Sequence, residues 1–159
     1  MTPIDDVRLV VPAGPEFLRL VRLTVASLAG RLGFSYDEVE DVCLATSELC
    51  FGLIGPTGRR GTVEVVYVIV DEGALIVEGI GHFLEDIVPI TLTDLSRIIL
   101  GALVDEYDLS AGPNGPHFRL VKRHGSRGDG GAGVREPRRP FSPSGGAAAA
   151  LEGPFVLGS

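Results

Sequence analysis

Long hydrophobic runs, a cysteine framework and an excess of positive charge are all missing from this 159-residue chain. No apolar run approaches the roughly 20 residues of a spanning helix, so no membrane association is expected. The opening "MTPIDDVRLV" is acidic and then strand-like, which does not read as a signal peptide, and the expectation is a cytoplasmic protein. The formal net charge of −7 disfavours direct nucleic-acid binding and suits a basic protein partner. Two cysteines make no disulfide framework. Cys43 and Cys50 lie seven residues apart on one expected helix, about 10.5 Å along its axis. Cα atoms more than about 7 Å apart cannot be bridged without backbone movement, so both are read as core packing. Metal-ligand spacing is missing too. His82, His117 and His124 have no acid or cysteine grouped with them and read as surface or turn histidines, and no Ser-His-Asp or Cys-His arrangement can be argued.

What is present is an ordinary globular composition, 45% apolar and 22% charged. Residues 7–11, "VRLVV", read as a strand. Apolar residues at 17, 18, 20, 21, 25, 28 and 32 then repeat with helical period, with Pro15 in the first turn and Gly33 at the end. A second helix opens on an S-x-x-E capping box, Ser35 and Glu38. Its apolar stripe is Val39, Val42, Cys43, Thr46, Leu49, Cys50 and Leu53. "TVEVVYVIV" and "ALIVEGI" are strands joined by "DEG", a hairpin. "TDLSRIILGALVDEY" is a third helix capped by Thr93. "GPNG" turns between a short strand near 106–110 and a last one at 117–123.

The order β-α-α-β-β-α-β-β predicts an α+β fold: a two-layer sandwich of a mixed, mostly antiparallel sheet with three helices on one face. Residues 1–123 form the expected domain. Residues 124–159 are rich in Gly, Pro, Arg, Ser and Ala and read as a disordered tail. Within it "AAALE" also resembles a translated cloning polylinker.

This layout resembles the histidine-kinase-like (GHKL) ATPase superfamily, and more specifically its anti-sigma factor serine kinases. The landmarks are "VVPAGPEFLRLVR", "GFSYDEVEDVCLATSE" and, late in the chain, "LVDEYDL" before a strand ending in "LVKR". They span about residues 7–123.

The resemblance implies three nucleotide boxes, and each departs from the family pattern here. In the first, a helical Glu serves as general base and an Asn four residues on ligates magnesium. Glu48 keeps the acid, but Gly52 stands where the Asn belongs. In the second, D-x-G-x-G, an Asp accepts from the adenine amino group. "VEGIG" keeps Gly79 and Gly81 but has Val77 in the Asp position. Glu78 would point to the opposite face of a regular strand and could substitute only through a bulge. In the third, a glycine-rich G-x-G-L cradles phosphates at a helix start. The matching "TDLSRII" has no glycine, and Asp94 puts a negative charge there.

The resemblance therefore implies ancestry and shape with a degenerate ATP site: no catalytic residue beyond the relic Glu48, no metal and no cofactor. The expected function is a non-catalytic anti-sigma-factor-like regulator that sequesters a sigma factor or an anti-sigma factor antagonist. Glu16, Arg19 and Arg22 on the first helix are the expected partner surface, beside the bland alternative of a solvated charged face. A homodimer is implied by the family. The alternative function is an ATP-dependent serine kinase acting on the antagonist, with ATP and magnesium bound through a rearranged site.

Overall fold

The computed structural model describes residues 3–85, 90 and 92–125. Eight main elements follow in the expected order: β1 (Pro3–Pro12), α1 (Leu18–Arg31), α2 (Tyr36–Ile54), β2 (Gly61–Val70), β3 (Ala74–Phe83), α3 (Asp94–Leu103), β4 (Glu106–Gly112) and β5 (Gly115–Arg123). A single 3-10 turn over Pro15–Phe17 leads into α1. The strands form one sheet in the order β1-β2-β3-β5-β4, and every pairing is antiparallel. The expected α+β sandwich is thus observed, and its five-stranded sheet and three helices are consistent with a histidine-kinase-like fold. Among the described residues, no helix is long and apolar enough to cross a membrane. The tail reading falls on residues outside those described, apart from His124 and Gly125.

Alternation along the strands selects one sheet face for the helices. Val63, Val65 and Tyr67 of β2, Leu75 and Val77 of β3, and Phe118 and Leu120 of β5 join the buried residues of all three helices in one core. Val70, Ala74, Ile76 and Val121 form a smaller cluster made of strand residues alone. Cys43 and Cys50 are free and buried, as read from their helical stripe. Burial pushes the Cys50 thiol up to about 12 and also raises Cys43.

The capping box at α2 forms as the sequence predicts. Ser35 accepts from the Glu38 N–H, and the Glu38 carboxylate accepts from the Ser35 N–H at 2.7 Å. The same carboxylate accepts from the Gly125 N–H at 2.6 Å and meets His124 at 3.3 Å, so the chain leaving β5 is tied to the start of α2. Burial works to raise this carboxyl, but the hydrogen bonds from Ser35 and Gly125 and the nearby His124 outweigh it and hold it at about 2.

Three expectations need correction. β1 begins at Pro3 rather than residue 7, with a register irregularity between Pro3 and Asp5 that the mixed "PIDD" pattern does not signal. α3 stops at Leu103, short of the expected reach to Tyr107. Val104 is already extended, and the Asp105 N–H donates to the Val121 carbonyl at 3.0 Å, so strand pairing ends the helix. Leu20, assigned to the apolar repeat of the first helix, is 48% exposed. One buried cation went unread in the sequence. Lys122 is 1% exposed, and its Nζ donates to the Leu103 carbonyl at 2.8 Å and meets Asp41 at 3.3 Å. It joins β5 to α3 and α2.

Candidate functional site

The most distinctive polar cluster sits where α2 meets the start of α3. Thr93 caps α3, its hydroxyl accepting from the Ser96 N–H at 3.0 Å. The Ser96 hydroxyl donates to Glu48 Oε1 at 2.5 Å and lies 2.8 Å from the Thr93 hydroxyl. A serine hydroxyl has one proton, so with that proton on Glu48 the Thr93 hydroxyl donates to Ser96. The chain of bonds runs Thr93, Ser96, Glu48. Glu48, the acid at the expected first-box position, is therefore already engaged by a neighbouring helix.

Beside it lies a shallow cavity of about 270 Å³, lined among others by Glu48, Gly52, Arg59, Thr93 and Ser96. That is below the roughly 300–1,000 Å³ of small-molecule pockets. Gly52 faces two leucines. A Cβ built there would stand 3.1 Å from Leu109 Cδ2 and 3.5 Å from Leu92 Cδ2. A side chain at 52 would need Leu109, on a strand far along the chain, to give by a few tenths of an ångström.

The second box has a different geometry. Val77 is fully buried, paired with Tyr67 and Leu120. The β2–β3 and β3–β5 registers run without a break through residue 78, so no bulge turns Glu78 inward. Glu78 instead meets Arg119 Nε at 3.2 Å. A Cβ on Gly79 would overlap the Phe118 ring, and one on Gly81 would overlap the Phe83 ring. The Arg59 guanidinium in turn sits 5.1 Å from the Phe83 ring centroid. Glu48 and Gly52 thus share a cavity, whereas Val77, Gly79 and Gly81 do not line it.

Glu16, Arg19 and Arg22 are all exposed, and the two arginines, three apart, share a side of α1. Among the described residues none of the three makes an ion pair. Their surroundings are more apolar than the sequence suggested. Leu20 and Leu23 are exposed, and a groove of about 350 Å³ runs between Leu9 of the edge strand β1 and the Leu20–Leu28 side of α1. The histidines also have company that the sequence did not predict. His82 meets Glu64 at 3.4 Å, and His124 stacks on Phe34 beside Glu38. Ser110, Asp108 and His117 come together on the β4–β5 hairpin. There the carboxylate takes the serine proton at 2.9 Å while His117 Nδ1 faces the Gly115 carbonyl, so the acid does not orient the imidazole as a triad requires. Among the described residues, no group of three or more His, Cys, Asp or Glu could hold a metal ion.

The chain is 32% identical over 74 residues to a serine-protein kinase RsbW of Bacillus pumilus, covering 43% of this chain and 46% of the relative. It is 43% identical over 49 residues to the RsbW of Bacillus velezensis, 31% of each chain. It is 32% identical over 68 residues to that of Bacillus thuringiensis, 43% of this chain and 42% of the relative. Over that stretch the chain is a homologue of the RsbW serine-protein kinases. The match spans less than half the length of each RsbW relative. No protein-family profile matches the chain.

Proposed function

We propose that the chain is a non-catalytic member of a partner-switching system, which binds and sequesters a sigma factor or an anti-sigma factor antagonist without phosphorylating it. One observation carries this reading. Gly52, one helical turn from Glu48, offers no side-chain oxygen, and a Cβ there would already stand 3.1 Å from Leu109 Cδ2 and 3.5 Å from Leu92 Cδ2. A magnesium-binding side chain at that position would press on Leu109, which would have to give by a few tenths of an ångström. The buried Val77 supports it further, since a valine offers no acceptor to an adenine amino group. Losing such an acceptor leaves a donor unpaired, at about 1–3 kcal/mol.

Sequestration needs only a complementary surface, and exposed Arg19 and Arg22 adjoining exposed Leu20 and Leu23 on α1 offer one, part charged and part apolar. The edge strand β1 and the adjoining groove are the surface proposed for a homodimer. The alternative, an ATP-dependent serine kinase acting on the antagonist, draws on the retained Glu48 in its cavity. Calorimetric titration with Mg-ATP and Mg-ADP separates the two. Absence of heat at millimolar nucleotide is the expected result. Micromolar, magnesium-dependent binding would restore the kinase and make Glu48 the first residue to substitute.

A further inference from the structure

The second helix carries an exposed face that borders the α2–α3 cavity at Glu48 and Phe51 and extends well beyond it towards the start of the helix. In its 19 residues α2 has five carboxylates, Asp37, Glu38, Glu40, Asp41 and Glu48, and no lysine or arginine. Positions 37, 40, 41, 44, 48 and 51 follow the i, i+3, i+4 spacing of one helix face. On that face Leu44 is 48% and Phe51 43% exposed. They are seven residues apart, two turns, with the acids around and before them. The Ser96–Glu48 hydrogen bond brings α3 to the flank of this face, and elsewhere on α3 Leu95 and Ile98 are 66% and 70% exposed. Asp41 and Glu48 have partners, Lys122 and Ser96, but Asp37 and Glu40 form no ion pair among the described residues.

We propose that the outer face of α2, with the flank of α3, is a docking surface for a basic amphipathic helix of a partner protein. The apolar residues of that helix would repeat at heptad spacing, with lysine or arginine beside them. Two features specify this occupant. The seven-residue interval between Leu44 and Phe51 is the interval at which one helix presents successive apolar residues to another. From residue 37 to 51 the stripe runs about 21 Å, the length of a four-turn helix. Its charge is of one sign, in a chain of net charge −7, so only a basic partner is complementary. The proposal rests on the reading of the chain as a protein-binding regulator. It adds a second surface, opposite in sign to the one around Arg19 and Arg22.

The test is fluorescence anisotropy of a dye-labelled peptide of about 18 residues, with leucine at a and d and lysine at e and g, titrated with the full chain. Saturable binding is expected. Glu40→Lys and the double variant Leu44→Ser/Phe51→Ser should each weaken it by about tenfold or more, while Arg19→Ala/Arg22→Ala leaves it unchanged. Circular dichroism verifies that each variant is folded. A peptide of the same composition in scrambled order, lacking the apolar stripe, should bind about tenfold more weakly. The proposal falls if there is no binding at about 1 mM peptide, if the scrambled peptide binds equally well, or if binding depends on the two arginines instead of Glu40 and Leu44. Nucleotide calorimetry reports on the α2–α3 cavity independently, so failure here and failure of the non-catalytic reading are told apart.

Discussion

Replacing Gly52 by alanine tests the packing on which the non-catalytic reading depends. A glycine inside a helix costs roughly 0.5–1 kcal/mol relative to alanine, so in open space Gly52→Ala would stabilise the protein by that amount. The added Cβ, however, would lie 3.1 Å from Leu109 Cδ2, tighter than ordinary contact, and Leu109 must give by a few tenths of an ångström. Overpacking costs about 1–3 kcal/mol, and the low end applies because Leu109 is only half-buried. The two effects cancel to within about 0.5 kcal/mol, and Gly52→Ala alone should be close to neutral. Leu109→Ala alone should cost about 1–2 kcal/mol, less than a fully buried leucine. In the Leu109→Ala background the obstruction is gone, and Gly52→Ala should recover its full gain. The expected coupling is about 1 kcal/mol. With a urea m-value of about 2 kcal/mol/M this is a displacement of roughly 0.5 M in midpoint, well resolved by equilibrium unfolding of the four proteins. Additivity within about 0.3 kcal/mol would refute the reasoning: Leu109 would not be pressing on position 52, and the space would be open to a ligand oxygen.

Ser96→Ala removes a hydrogen bond to a carboxylate and should destabilise by about 1–2 kcal/mol in the same urea assay. An unchanged midpoint would mean that Glu48 gains nothing from Ser96. Glu38 has a folded-state pKa of about 2 against an ordinary 4.5, so its contribution is complete above the unfolded value and is lost as pH falls from about 4.5 towards 2. Stability measured across that window should therefore decline on acidification, and Glu38→Gln should make the decline shallower. Both thiols are buried, with Cys50 raised to about 12, so an aqueous thiol reagent at about pH 8 should label neither in the native protein and both in denaturant. Rapid native labelling of Cys50 would contradict its place in the core.

Much of the architecture was legible because it is local. The Ser35–Glu38 capping box, the hairpin at Gly73 with its φ of 70°, and the buried stripe of α2 are written within a few residues of where they act. The inward Val77 and outward Glu78 follow from strand alternation alone. What was missed depends on residues far apart in the chain. Leu20 fits a helical apolar repeat, but it lines an open groove against Leu9 of β1 and stays 48% exposed, which periodicity in one helix cannot report. The end of α3 is set by Asp105 pairing with Val121, and the burial of Lys122 by Asp41 and Leu103. None of these partners has a local signature.

The glycines carry the same lesson into the candidate site. In sequence, Gly79 and Gly81 read as turn glycines rather than a nucleotide loop, and Gly52 stands where the resemblance calls for a ligand; Gly79 and Gly81 in fact lie within β3. In the fold each stands against a large side chain: Phe118 on Gly79, Phe83 on Gly81, Leu109 on Gly52. A glycine beside a ring that is 1% exposed, as Phe118 is, serves packing. Substitution of a metal-binding residue by glycine could in principle leave a hole that a second change repairs. Here a Cβ at position 52 would press on Leu109 of β4, so a side chain there asks Leu109 to give by a few tenths of an ångström.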